Sequence, residues 1–136
     1  MRNSPEAAEQ AALFEWAALS EQSIPELALM YHVPNDGKRS PRSGAEQKRI
    51  GLKRGVPDVC LPVPSNGFHG MYIEMKAGRN RPTKEQTEYL RRLAAAGYYC
   101  VICWSWAAAV KCITAYLRIV CPALVSETKD KWEVVG

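Results

Sequence analysis

The chain has 136 residues, 47% hydrophobic and 24% charged, which are the proportions of one ordinary globular domain with a single sheet-and-helix core. No apolar run reaches the ~18–20 residues of a membrane span, and the polar, acidic N-terminus does not resemble a secretion signal. The net charge of +4 is small but localised, because Lys38, Arg39, Arg42, Lys48, Arg49, Lys53 and Arg54 face only Glu46 between positions 38 and 54, a pattern suited to a polyanionic partner.

In chain order, Ser4-Pro5 reads as an N-cap with proline in the first helical turn, opening a helix to about Leu19. At ~100° per residue, Glu6, Gln10, Leu13 and Ala17 form one stripe of it. Leu27 to Val33 reads as a first strand, closed by the turn Pro34-Asn35-Asp36-Gly37. Ser43-Gly44-Ala45-Glu46 has the form of a capping box for a short basic helix to about Lys53. Val59 to Val63 is expected as a second strand, and Met71 to Ala77 as a third beyond the turn Pro64-Ser65-Asn66-Gly67. Thr83-Lys84-Glu85-Gln86 is another capping box, starting a helix that stops at Gly97. Tyr98 to Trp104 is a fourth strand, and Ser105 caps a helix to about Leu117. Beyond Pro122 no element is legible. The order implies an α/β fold, a single domain with a mixed sheet flanked by helices. We place that domain at 1–121 and treat 122–136 as a C-terminal tail.

The residues that carry chemistry are Asp58, in Gly55-Val56-Pro57-Asp58, and Glu74 and Lys76, in Tyr72-Ile73-Glu74-Met75-Lys76. On a strand, Met71, Ile73, Met75 and Ala77 point one way and Tyr72, Glu74 and Lys76 the other, with Glu74 and Lys76 roughly 6–7 Å apart. A carboxylate and an ammonium at that spacing, with Asp58 from a neighbouring strand, can hold a hard cation and position a water beside it. The bland alternatives are a turn carboxylate at Asp58 and a surface ion pair between Glu74 and Lys76. Apolar Met71, Ile73 and Met75 make this an interior strand, and an interior carboxylate needs a partner. The five cysteines, an odd number, point to reduced thiols in the cytosol. Cys100 and Cys103 form a CxxC, but a strand between them turns the two thiols to opposite faces. His32 and His69 are not spaced for metal binding and read as structural.

These segments resemble the VRR-NUC branch of the PD-(D/E)XK nuclease superfamily, which includes small stand-alone phage and prophage nucleases. The matching stretches are Val33-Pro34-Asn35-Asp36-Gly37-Lys38-Arg39, Gly55 to Val59, His69 to Lys76 and Gly97 to Val101, in family order, within a recognisable part of about 6–117. The resemblance implies a restriction-endonuclease-like fold and a metal-dependent endonuclease. Asp58 and Glu74 would bind Mg²⁺ or Mn²⁺ with the backbone carbonyl of Met75, and Lys76 would act on the attacking water. No organic cofactor is expected. The family completes its acidic cluster with a first-helix glutamate in a pattern like E-x-x-[apolar]-Q. Here Glu6 and Gln10 match while Glu9 occupies the apolar place, so Glu6 is favoured and Glu9 stays open. Gln86 matches the family's glutamine after the ExK strand, although it also ends the Thr83 capping box. Asn35 would hydrogen-bond DNA or Lys76, or serve only as a turn residue, and the basic residues Lys38, Arg39, Arg42, Lys48, Arg49, Lys53 and Arg54 are expected to contact DNA phosphates, with no base reader evident. The implied substrate is branched DNA such as a Holliday junction, cut by a homodimer inside the cell, in the cytoplasm. The alternatives are a nickase, flap or general DNA nuclease, a non-catalytic DNA-binding module, or a small thiol or zinc protein built on Cys100 and Cys103.

Overall fold

In the computed structural model, residues 4–34, 41–119 and 130–136 are described. Helix α1 spans Pro5–Ser20, and the Ser4 hydroxyl accepts from the Ala7 amide, so the expected cap is present. Helix α2 spans Pro41–Arg49, α3 spans Lys84–Ala95 and α4 spans Trp106–Tyr116. The strands are β1, Tyr31–His32; β2, Val59–Leu61; β3, Met71–Met75; β4, Tyr99–Cys103; and β5, Trp132–Val135. Among the described residues no helix is long and apolar enough to cross a membrane.

The five strands form one mixed sheet in the order β1-β2-β3-β4-β5, with β3 and β4 parallel and every other pair antiparallel. Helix α3 makes the crossover between the parallel strands, as the single-sheet fold requires. Two cores follow from strand alternation. Met71, Ile73 and Met75 join Val59, Leu61, Val101, Leu13 of α1 and Ile113 of α4 on one face. Cys100, Ile102 and Trp104 pack with Leu90 of α3 on the other, where Tyr72 also lies. The mixed sheet with helices on both faces is the fold class expected.

Four expectations are corrected. The segment expected as a strand from Leu27 begins as a 3-10 helix, Pro25–Leu29, and only Tyr31 and His32 pair with β2. Ile24, Leu27 and Met30 are the buried residues there, and their spacing of three is the 3-10 period. Helix α2 opens at Pro41, so Ser43 lies inside it and is not its cap; proline suits a first helical turn. It ends at Arg49, short of Lys53, and the chain leaves it through Gly51 at φ +109°. The strands β2, β3 and β4 are shorter than expected by one to two residues at their ends, with Pro62 closing β2. Beyond Pro122, residues 132–135 form the edge strand β5, registered on β4 through Cys103 opposite Trp132. The Thr83 capping box is present in full: the Thr83 hydroxyl accepts from the Gln86 amide at 3.1 Å and the Gln86 side-chain oxygen from the Thr83 amide at 2.8 Å.

One glycine fixes how the segment leading to Asp58 meets α3. Gly55 has φ +81°, and a Cβ there would lie 2.6 Å from the Glu85 carbonyl oxygen and 2.9 Å from the Gln86 amide nitrogen. Both are backbone atoms of the first turn of α3 and cannot swing aside. Gly55→Ala is therefore expected to destabilise the protein by about 2–4 kcal/mol, combining left-handed strain with overpacking. A urea denaturation midpoint measures it, and a loss below about 0.5 kcal/mol would contradict this contact.

Candidate active site

Antiparallel pairing of β2 with β3 sets Val59 opposite Ile73, and one step beyond the ladder Asp58 lies opposite Glu74. Pro57, immediately before, is fully buried. The Asp58 carboxylate accepts a hydrogen bond from the Met75 amide at 2.8 Å. Its own carbonyl accepts from the Val33 amide at 2.8 Å and lies 2.9 Å from His32 Nδ1. Backbone from β3 and from the end of β1 thus holds Asp58 from both sides, and His32 serves that structural role.

Glu74 is 1% exposed, and its Oε1 atom has no hydrogen-bond partner. Burial, then the Asp58 carboxylate beside it, pushes the Glu74 carboxyl up to about 9, against an opposing pull from Lys76. Lys76 sits just past the end of β3, where its amide still donates to the Cys103 carbonyl at 2.9 Å. Its ammonium is 3.2 Å from Glu6 Oε1 and 3.8 Å from Glu74 Oε2. Glu6 and Glu74 therefore share the Lys76 side chain, with the Asp58 carboxylate beside Glu74. Buried polar atoms are rarely left without a partner, and an orphaned carboxylate oxygen beside a second carboxylate is the arrangement expected where a cation belongs.

The structure brings Glu6, Asp58, Glu74 and Lys76 together. It does not bring Glu9, whose Oε1 accepts from the Trp106 amide at 3.0 Å and so caps the first turn of α4. Burial of Leu13 and Ala17 orients α1 and carries Glu6, on the same stripe, toward Lys76. Nor does it direct Gln86 at Lys76, because the Gln86 side-chain oxygen is held by the capping box. Of the expected phosphate contacts, Lys48, Arg49, Lys53 and Arg54 are exposed on α2 and on the segment entering Gly55. Arg49 is partly offset by Glu46 at 2.8 Å. Asn35, Lys38 and Arg39, and the side chain of Arg42, lie outside the described residues.

Among the described residues no group of three or more His, Cys, Asp or Glu side chains is placed to hold a metal ion. Asp58 and Glu74 are a pair, with Glu6 engaged on Lys76. Two carboxylates suit Mg²⁺, which keeps several waters and takes further oxygens from a phosphate substrate. The pair also excludes a closed structural zinc site here. The CxxC thiols face opposite cores, Cys100 toward α3 and Cys103 toward α4, where Cys103 Sγ lies 4.0 Å from Cys112 Sγ.

A family model described as VRR-NUC domain matches residues 4–107. A solved structure named VRR_NUC domain protein is similar over 88% of this chain and 93% of its own, with a TM-score of 0.73 and 25% sequence identity. No curated protein matches.

The buried carboxyl has a consequence for stability. In metal-free protein Glu74 stays protonated up to about 9, whereas its unfolded carboxyl ionises near 4.5. Its contribution to stability is complete below the lower value and is lost as pH rises toward the upper one. Glu74→Gln is expected to flatten that dependence and, at pH 7 in EDTA, to stabilise the fold by on the order of 3 kcal/mol. Melting curves of both proteins at pH 5 and pH 8 measure it; equal slopes would contradict the raised carboxyl.

Proposed function

The chain belongs to the VRR-NUC domain family, and on that premise we propose that it is a divalent-metal-dependent endodeoxyribonuclease. The observation that carries this reading is the partnerless Glu74 oxygen beside Asp58, with Lys76 held between Glu74 and Glu6. Asp58 and Glu74 would hold Mg²⁺ or Mn²⁺, with the Met75 carbonyl as a further oxygen ligand. When bound, the ion supplies Lewis-acid polarisation of the scissile phosphate and acidifies water.

The chain's own residues do the rest. The Met75 amide holds the Asp58 carboxylate in place, so this ligand is set before substrate arrives. Lys76 Nζ, held by Glu6, orients the attacking water or takes its proton, and offsets negative charge growing on the phosphate. Glu6 keeps Lys76 Nζ aimed. The exposed cations Lys48, Lys53 and Arg54 bind backbone phosphates without reading sequence.

The preferred substrate is branched DNA, in particular a four-way junction, cut by a homodimer. This finer reading follows the resemblance to stand-alone family members, and from one site per chain: paired incision needs two copies.

The test is cleavage of four-way junction, 5′-flap, splayed-arm, linear duplex and single-stranded DNA, each with Mg²⁺, with Mn²⁺ and with EDTA. Metal-dependent cutting is expected, abolished by Glu74→Ala and reduced about 10²–10³-fold by Lys76→Ala. Cutting in EDTA, or cutting unchanged in Glu74→Ala, would overturn the assignment. A flap or duplex preference would replace junction resolution while leaving the nuclease intact. Binding without cutting by the parent protein would favour a DNA-binding module.

A further inference from the structure

Strand β5 lies beyond the residues that match the family model, yet it completes the sheet on the side away from β1. Its start is anchored to α4 by a largely buried ion pair, Lys111 with Asp130 at 2.5 Å. From there its backbone brings cations to one indole ring. The Trp104 amide donates to the Lys131 carbonyl at 3.0 Å, and the Lys131 ammonium lies 4.2 Å from the Trp104 ring centroid. The Arg81 guanidinium lies 5.2 Å from the same ring and forms a two-pronged pair with Glu133 at 2.9 and 3.3 Å. Trp104 Nε1 donates to the Asn80 carbonyl at 2.8 Å. The loop that follows Lys76 is thereby tied to β5 through Trp104, with Arg79 exposed on it.

The strand directions place these groups relative to the carboxylates. The end of β3, the end of β4 and the start of β5 lie at the same end of the sheet as Asp58 at the start of β2. Lys76 pairs with Cys103, and Trp104 with Lys131. Two strand spacings of ~4.8 Å put the Lys131 backbone roughly 10 Å from that of Lys76. That is about three 3.4 Å steps along a DNA strand. The aromatic ring orders the cations without neutralising them, and Glu133 alone offsets Arg81.

We infer that β5 builds a second phosphate-binding arm, made of Arg79, Arg81 and Lys131, which grips the DNA backbone on the β4–β5 side of the carboxylates. The exposed cations Lys48, Lys53 and Arg54 belong to α2 and to the segment entering Gly55, and form a separate basic group. This inference rests on the nuclease reading above. Its partner is nucleic acid because the cations stand at the same end of the sheet as the proposed phosphodiesterase site. Contact is with backbone only, because the groups offered are cations on a shared ring and not a set of donors and acceptors for base edges.

The experiment is binding of linear duplex and four-way junction DNA in EDTA, where no cleavage intervenes, across about 50–200 mM salt. Arg79→Gln and Lys131→Gln are each expected to weaken binding to both DNAs a few-fold and to reduce the slope of log K against log salt by about 0.9. Arg118→Gln, beyond the end of α4 and at the opposite end of the sheet, is expected to leave the parent slope unchanged. Melting curves confirm that each variant is folded. If Lys53→Gln and Arg54→Gln lower the slope while Arg79→Gln and Lys131→Gln do not, the second arm is overturned and the nuclease reading stands. If the parent itself binds neither DNA, both are overturned.

Discussion

A carboxyl group buried at the end of a sheet, with one oxygen that nothing donates to, sets the terms for the rest of this structure. Glu74 is buried on β3 between β2 and β4. Its charge is disfavoured first by burial and then by Asp58 alongside. Lys76 compensates only in part, because it is shared with Glu6. A fold left to optimise its own stability would place an apolar residue here, since buried ion clusters break even at best against hydrophobic packing. On the proposed function, that excess of carboxylate over ammonium would be relieved by a bound cation.

The surrounding elements hold that arrangement without relying on flexible side chains. Asp58 is fixed by backbone amides on two sides, and Gly55 lets the segment before it lie against the first turn of α3. Helix α1 is oriented by its buried Leu13 and Ala17, while the bond from Trp106 engages Glu9 outside the cluster. Lys76 then meets a carboxylate whose position is set by a helix whose N-terminus Ser4 caps. At the same end of the sheet, Trp104 ties the loop after Lys76 to β5 and gathers Arg81 and Lys131. The cations gathered at Trp104 and the carboxylates thus share one end of the sheet.

The sequence made some of this readable because the physics involved is local. The caps at Ser4, Thr83 and Ser105 act within three residues, and all three are formed. The alternation of Met71, Ile73 and Met75 against Tyr72 and Glu74 needs only the pleat of a strand. Asp58, Glu74 and Lys76 were legible together because short spacing and family order constrain them. Readings failed where distant packing decides. Glu6 shares the stripe of Gln10 and Leu13, whereas the α4 amide that engages Glu9 is beyond the reach of any local pattern. Gln86 carries two compatible signals, and only geometry shows that its oxygen turns to Thr83. Ile24, Leu27 and Met30 carried the 3-10 spacing, but Leu27 to Val33 also fits a strand. β5 has only four residues and an exposed face, so its pairing with β4 leaves little trace in composition.

If Glu74 is protonated without metal and becomes a ligand with it, its titration must move when Mg²⁺ binds. An NMR pH titration of the Glu74 carboxyl carbon in the full chain, without metal and then with saturating Mg²⁺, measures this. The midpoint is expected near 9 without metal and well below neutrality with it. An ordinary midpoint near 4.5 without metal, or a raised one that Mg²⁺ does not move, would contradict it.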